Sequence, residues 1–162
     1  LLKHQPEEVF THSIIHPEYE GPYTFEKWID IYSGHIPGHI EQIKNKYPIL
    51  NKKNSLKCGF SVENGWLRLI DKLSGFIESQ IKDLSNEDKD KIYVTQIKNK
   101  FGGLRYYLNF PEKYYPDIQY KIDGAIALAE NLSFHICQKC GNAGEHQGWH
   151  TLCNNCNIGD GR

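Results

Sequence analysis

Cys137-Gln138-Lys139-Cys140-Gly141 and, after the twelve residues 141–152, Cys153-Asn154-Asn155-Cys156 decide how this chain must be read. Two Cys-x-x-Cys pairs at this spacing can converge on one tetrahedral metal, each pair turning as a knuckle that aims both thiolates at one point. Gly141, directly after the first knuckle, suits the positive φ of such a turn. Four sulfurs leave no position open for water or substrate, the pattern of a structural Zn²⁺ and not of a catalytic one. The rival reading is a pair of disulfides. Two-residue spacings are typical of knuckles and poor for staples, and the sequence opens on no apolar signal-like segment. The expectation is one structural zinc, held by Cys137, Cys140, Cys153 and Cys156 in a reducing, cytoplasmic setting.

Working outward from the cysteines, Phe134-His135-Ile136 delivers the chain from a helix expected over about Pro116 to Leu132, with Ile118, Ile122, Ala125, Ile126 and Ala129 inward. Before it lies a β-hairpin. Tyr93, Thr95, Ile97 and Phe101 alternate onto one face, Gly102-Gly103 makes the turn, and Leu104, Tyr106, Leu108 and Phe110 alternate on the return. Ser85 to Lys91 reads as a charged loop. Trp66, Leu69, Ile70, Leu73, Phe76, Ile77, Ile81 and Leu84 form the clearest helical stripe, a broad apolar face that must be buried. Residues 51–57 read as a lysine-rich, exposed and mobile loop. Two shorter helices precede it: one after Thr24, with Phe25, Trp28, Ile29 and Tyr32 in a stripe, stopped by Gly34; another from Pro37 with Ile40, Ile43 and Tyr47, ending before Pro48. Residues 1–23 read as irregular. The fold class is α+β, helices packed on a small antiparallel sheet with a C-terminal four-cysteine zinc ribbon. The expected division is an α+β domain over 1–133, its first 50 residues a candidate helical lobe, and a ribbon module over 134–162.

The chain has 162 residues, 39% hydrophobic and 24% charged, the balance of a soluble globular protein, with no apolar run long enough for a membrane span. Lys+Arg 19 against Asp+Glu 20 gives a net charge of −1, a poor match to a dedicated nonspecific DNA binder. The charge is uneven: residues 1–30 hold six acids and two bases, whereas Lys98 to Lys121 holds five bases and two acids. A basic face for phosphate and a scatter of solvated lysines are both compatible with that pattern.

Gly65-Trp66 at the start of a helix, Lys98-Asn99-Lys100-Phe101-Gly102-Gly103-Leu104-Arg105-Tyr106-Tyr107, and Cys137-x-x-Cys140-Gly141 through Gly148-Trp149-His150-Thr151-Leu152-Cys153-x-x-Cys156 resemble a family of small bacterial and prophage zinc-ribbon proteins. The likeness covers roughly residues 56–157. It implies a bacterial or phage cytosolic setting and a shared zinc module, and it carries across no catalytic residue.

Beyond the metal, the hairpin is the candidate binding element. Lys98, Lys100 and Arg105 offer charge, Gly102 and Gly103 would let a phosphate approach the backbone, and Tyr107 and Trp149 offer stacking surfaces for a base. Arg105 and Tyr107 share a strand face opposite Leu104 and Tyr106. The bland alternative is a tight structural hairpin with Trp149 packed over the ribbon. A Walker-type phosphate loop is absent from the sequence. His35 and His39 stand four apart, but Pro37 and Gly38 interrupt the helix a metal pair would need. His146 and His150 are spare ligands beside four sufficient cysteines. Cys58 reads as a small core residue, and Glu63 and Asp71 do not select one another as an acid–base pair. The expectation is a non-catalytic binding protein for a nucleic acid or nucleotide. A protein-interaction module, such as a phage inhibitor of a host protein, is the alternative, favoured by the many tyrosines.

Overall fold

The structure, a computed structural model, describes residues 38–110 and 115–157 in full, together with the backbone of residues 13–15 and 22–24. The helix expected over Phe25–Tyr32, and His35, lie outside the described residues. The chain divides into two compact units, residues 1–41 and 42–162. In the first, β1 (Ser13–Ile15) and β2 (Pro22–Thr24) pair antiparallel with Ser13 opposite Thr24. Strands of three residues are too short to show a period of two, which is why the sequence reads as irregular there.

Residues 38–46 form the helix α1, stopped as expected before Pro48. The ring of Pro48 disfavours helical geometry in the residue before it, and Tyr47 is extended, with φ −121° and ψ 113°. Pro48 then opens a further short helix, α2 (Pro48–Asn51), which buries Ile49 and Leu50. The lysine-rich loop that follows is pinned to the body. Leu56 and Cys58 donate backbone hydrogen bonds to Val94 and Thr95, and Lys52 reaches the carbonyls of Lys89 and Ile92.

β3 (Phe60–Ser61), β4 (Tyr93–Lys100) and β5 (Gly103–Asn109) form one sheet in that order. β4 and β5 pair antiparallel as expected, but β3 joins β4 in parallel, Phe60 opposite Ile97. The sheet is therefore mixed, not purely antiparallel. A register shift between Val94 and Gln96 inserts one extra residue. It puts Val94 and Ile97, three apart, on the same buried face, so the expected Tyr93, Thr95, Ile97 alternation fails. The turn is centred on Phe101 (φ 54°) and Gly102 (φ 71°), one residue earlier than Gly102-Gly103. Two successive positive φ values match the right-handed twist of the strands they join.

A 3₁₀ turn (Asn64–Trp66) leads into α3 (Leu67–Ile81), whose buried Ile70, Leu73, Ile77 and Ile81 follow the predicted stripe, while Leu67, outside that stripe, is also buried and Phe76, within it, is exposed. Together with Trp66, Val94, Ile97, Leu104, Tyr106 and Ile122 the buried residues of α3 make the core. α4 (Asn86–Lys91) replaces the charged loop expected at 85–91. Ser85 caps it: its Oγ accepts from the Asp88 amide at 3.2 Å and donates to the Asp88 carboxylate at 2.7 Å. Ser85→Ala is expected to cost about 1 kcal/mol, read as a lower midpoint in urea denaturation with unchanged slope.

α5 (Pro116–Ser133) starts with its proline at the first helical position and lies along the open edge of β5. The outward Leu104 and Tyr106 amides donate to Ser133 Oγ (2.8 Å) and Glu130 Oε1 (3.0 Å). Edge amides that could template aggregation are thereby satisfied within the chain. No helix among the described residues is long and apolar enough to cross a membrane.

Candidate metal centre and adjoining face

The first cysteine pair turns as the sequence requires. Cys137 donates its amide to Asn142 O (2.7 Å), Gly141 donates to Cys137 O (2.9 Å), and Gly141 adopts φ 80°. A two-residue ribbon, β6 (Glu145–His146) against β7 (Thr151–Leu152), returns the chain. The second pair differs from the symmetrical knuckle expected: Cys156 lies within the helical turn α6 (Asn154–Asn157), and its amide donates to Cys153 O at 3.0 Å. A helical turn and a knuckle both place positions i and i+3 on one side, so the spacing does not distinguish them.

The four sulfurs lie within 4.8 Å of one another, with Cys140 and Cys153 Sγ 3.6 Å apart. Metal–thiolate bonds of about 2.3 Å in a tetrahedron put sulfurs about 3.8 Å apart. The donor set therefore fits a four-coordinate metal ion, and the separation is far beyond the roughly 2 Å of a disulfide. All five cysteines are free. Burial raises the Cys137 thiol pKa, but backbone amides of Cys153, Cys140 and Lys139 directed at its sulfur outweigh that and bring it down to about 6. The neighbouring Cys140 and Cys153 sulfurs push Cys156 up to about 12. Four crowded thiolates repel one another, and a bound cation is what allows all four to ionise.

The centre is built into the body of the protein. Gly65 lies against the knuckle: a Cβ there would stand 1.9 Å from Cys137 O and 2.6 Å from Gly141 N. Its amide donates to Gln138 O (2.8 Å), and Trp66, fully buried, donates its indole N–H to Ile136 O (2.9 Å). Gln138, between the first two cysteines, is 1% exposed and ties together three other stretches of the chain. Its Nε2 donates to Glu63 Oε1 (2.7 Å) and lies 3.3 Å from His150 Nδ1, while its Oε1 accepts from Asn99 Nδ2 and the Thr151 amide, each at 3.1 Å. Thr151 Oγ1 donates to Gly102 O at 2.7 Å. Sequence reading missed Gln138, because a polar residue inside a knuckle is normally exposed; only the topology makes it a hub.

The hairpin residues divide into two groups. Lys98 pairs with Arg105 across the strands, Gln96 with Tyr107, and Lys100 with Gly103, so Lys98, Lys100, Arg105 and Tyr107 share the face turned away from the core. Lys98 Nζ lies 5.3 Å from the Tyr107 ring centroid and Lys100 Nζ 5.6 Å from that of Phe101. Phe101 meets Trp149 edge to face at 4.9 Å, and Trp149 remains 68% exposed. Arg105 is turned to α5, its Nη1 3.7 Å from Glu130 Oε2 and its guanidinium 5.9 Å from the Phe134 ring. Gly102 and Gly103 are buried: a Cβ on Gly102 would stand 2.8 Å from His146 Nδ1, and one on Gly103 2.4 Å from the Phe134 ring. Their backbone is covered by the metal module and α5, which leaves no opening for a phosphate there.

The remaining candidates are dispersed. Glu63 serves Gln138, whereas Asp71 accepts from Lys46 (2.7 Å) and Tyr47 (2.9 Å). The Lys46 ammonium holds the Asp71 carboxyl below the usual range. Cys58, expected in the core, is exposed, because the chain turns outward at Gly59 (φ 101°) before entering β3. His146 and His150 stand beside the hairpin turn, and the metal-ligating group among the described residues consists of the four cysteines.

No family model, no curated protein and no solved structure matches the chain.

Proposed function

We propose that this is a non-catalytic zinc protein that binds a phosphate-bearing ligand, single-stranded nucleic acid in preference to a free nucleotide. Zinc is the metal that the donor set supports best: four thiolates in a closed tetrahedral shell suit a redox-inert structural ion. The observation that carries the ligand is the strip Tyr107–Lys98–Lys100–Phe101–Trp149, in which two lysines lie between exposed aromatic rings. A positive track with aromatic platforms is what successive phosphates and bases require, with little dependence on sequence. The resemblance to small bacterial and prophage zinc-ribbon proteins supports a bacterial or phage cytoplasmic setting. Arg105 belongs to the rim of this strip, because Glu130 shares its charge.

The test is fluorescence anisotropy with a labelled oligo-dT. Affinity should fall as salt rises, and Lys98→Ala with Lys100→Ala should flatten that dependence. Trp149→Ala should weaken binding by about 1–3 kcal/mol, the worth of one stacked base. Binding that ignores salt and both sets of substitutions would overturn the reading.

A further inference from the structure

A second surface, separate from the lysine–aromatic strip, lies between α3 and α5. The apolar stripe of α3 is wider than the sheet can cover, and its outer margin meets α5 in an open groove of about 440 Å³. Leu73 and Ala129 form a buried floor, while Phe76, Leu128 and Leu132 are 39%, 61% and 42% exposed. Large apolar side chains clustered in this way, and not scattered singly, mark an interaction surface. Among the described residues, the charged ones lining the groove are Lys72, on α3, and Lys121, on α5.

We propose that this groove docks an amphipathic helix of a partner protein whose flanks carry carboxylates. The eleven residue-to-residue steps from Lys121 to Leu132 rise about 16 Å, three helical turns. That length accommodates apolar anchors at i, i+3 or i+4, and i+7 of an incoming helix. Two lysines in an otherwise apolar groove favour acidic flanks over neutral or basic ones. A second copy of this chain fits less well: an isologous contact would set Lys72 and Lys121 against the same two lysines.

The experiment is selection from a phage-displayed library of sixteen-residue helical peptides on the intact zinc-loaded protein, with counter-selection on Leu128→Glu. The expected winners are net negative, carry apolar residues at the three anchor positions, and lose at least about tenfold in affinity on Leu128→Glu. Lys72→Glu combined with Lys121→Glu should reverse the charge preference. Leu128 is mostly exposed, so an unchanged melting curve checks that the variant is folded. Winners that are basic, or that bind Leu128→Glu equally well, or no winners at all, would overturn the proposal. So would sedimentation showing a dimer that Leu128→Glu dissociates, which would assign the groove to a second copy.

Discussion

Cys140→Ser is expected to abolish metal binding and to unfold residues 134–157. Cys140 is exposed, so the exchange of sulfur for oxygen disturbs little packing of its own. Its effect passes through the metal. A structural zinc contributes folding free energy of the order of 10 kcal/mol, against a total stability of about 5–15 kcal/mol for an ordinary domain. The module has few other resources, since β6 and β7 are two residues each and α6 is four. The loss should also spread beyond the module. Without a fixed knuckle, the Gln138 bonds to Glu63, Asn99 and the Thr151 amide lose their geometry, and the Trp66 indole loses the Ile136 carbonyl. Metal analysis and amide hydrogen exchange together check this: zinc near zero per chain, and protection lost over 134–157 with weakening at Trp66 and Asn99. Full protection in a metal-free Cys140→Ser protein would contradict it.

Gly65→Ala should be nearly as damaging, for a steric reason. The added methyl would overlap Cys137 O and lie within 2.7 Å of Gln138 O, and both neighbours are backbone atoms of the knuckle. Backbone between closely packed cysteines cannot rotate aside as a side chain can. The cost should be at or above the upper end of overpacking, about 3 kcal/mol, with weakened metal retention under chelator challenge. Gly124→Ala is the control. A Cβ at Gly124, in α5, meets nothing within 4 Å, and alanine there should stabilise by about 0.4–1 kcal/mol. If the two alanine variants melt alike, the close packing of Gly65 on the metal centre is not what holds the module in place.

The features legible in the sequence are those with a strong local cause. The four cysteines, most of the stripe of α3, the hairpin and the shared outward face of Arg105 and Tyr107 follow from spacing and period alone. The errors cluster where a single residue alters the geometry. One extra residue near Thr95 reverses the alternation of β4, and the left-handed Phe101 moves the turn forward by one. The Ser85–Asp88 capping pair is present in the sequence, but the charge of Asn86–Lys91 conceals a helix with almost no apolar face. Gly102 and Gly103 show the limit most clearly. Their composition fits a loop that cradles phosphate, yet each is glycine because a neighbour, His146 or Phe134, occupies the space a Cβ would take. No local rule reports a neighbour thirty or more residues away. The same holds for Gln138, whose partners come from residues 63, 99, 150 and 151.

The most direct test of a metal centre built into the fold is native mass spectrometry of the purified protein before and after chelation. One zinc ion per chain is predicted, in a narrow envelope of low charge states, with chelation producing a metal-free species in a broad, highly charged envelope. A metal-free protein that keeps the narrow envelope would contradict the account, because the four cysteines would then be dispensable to the structure that brings them together.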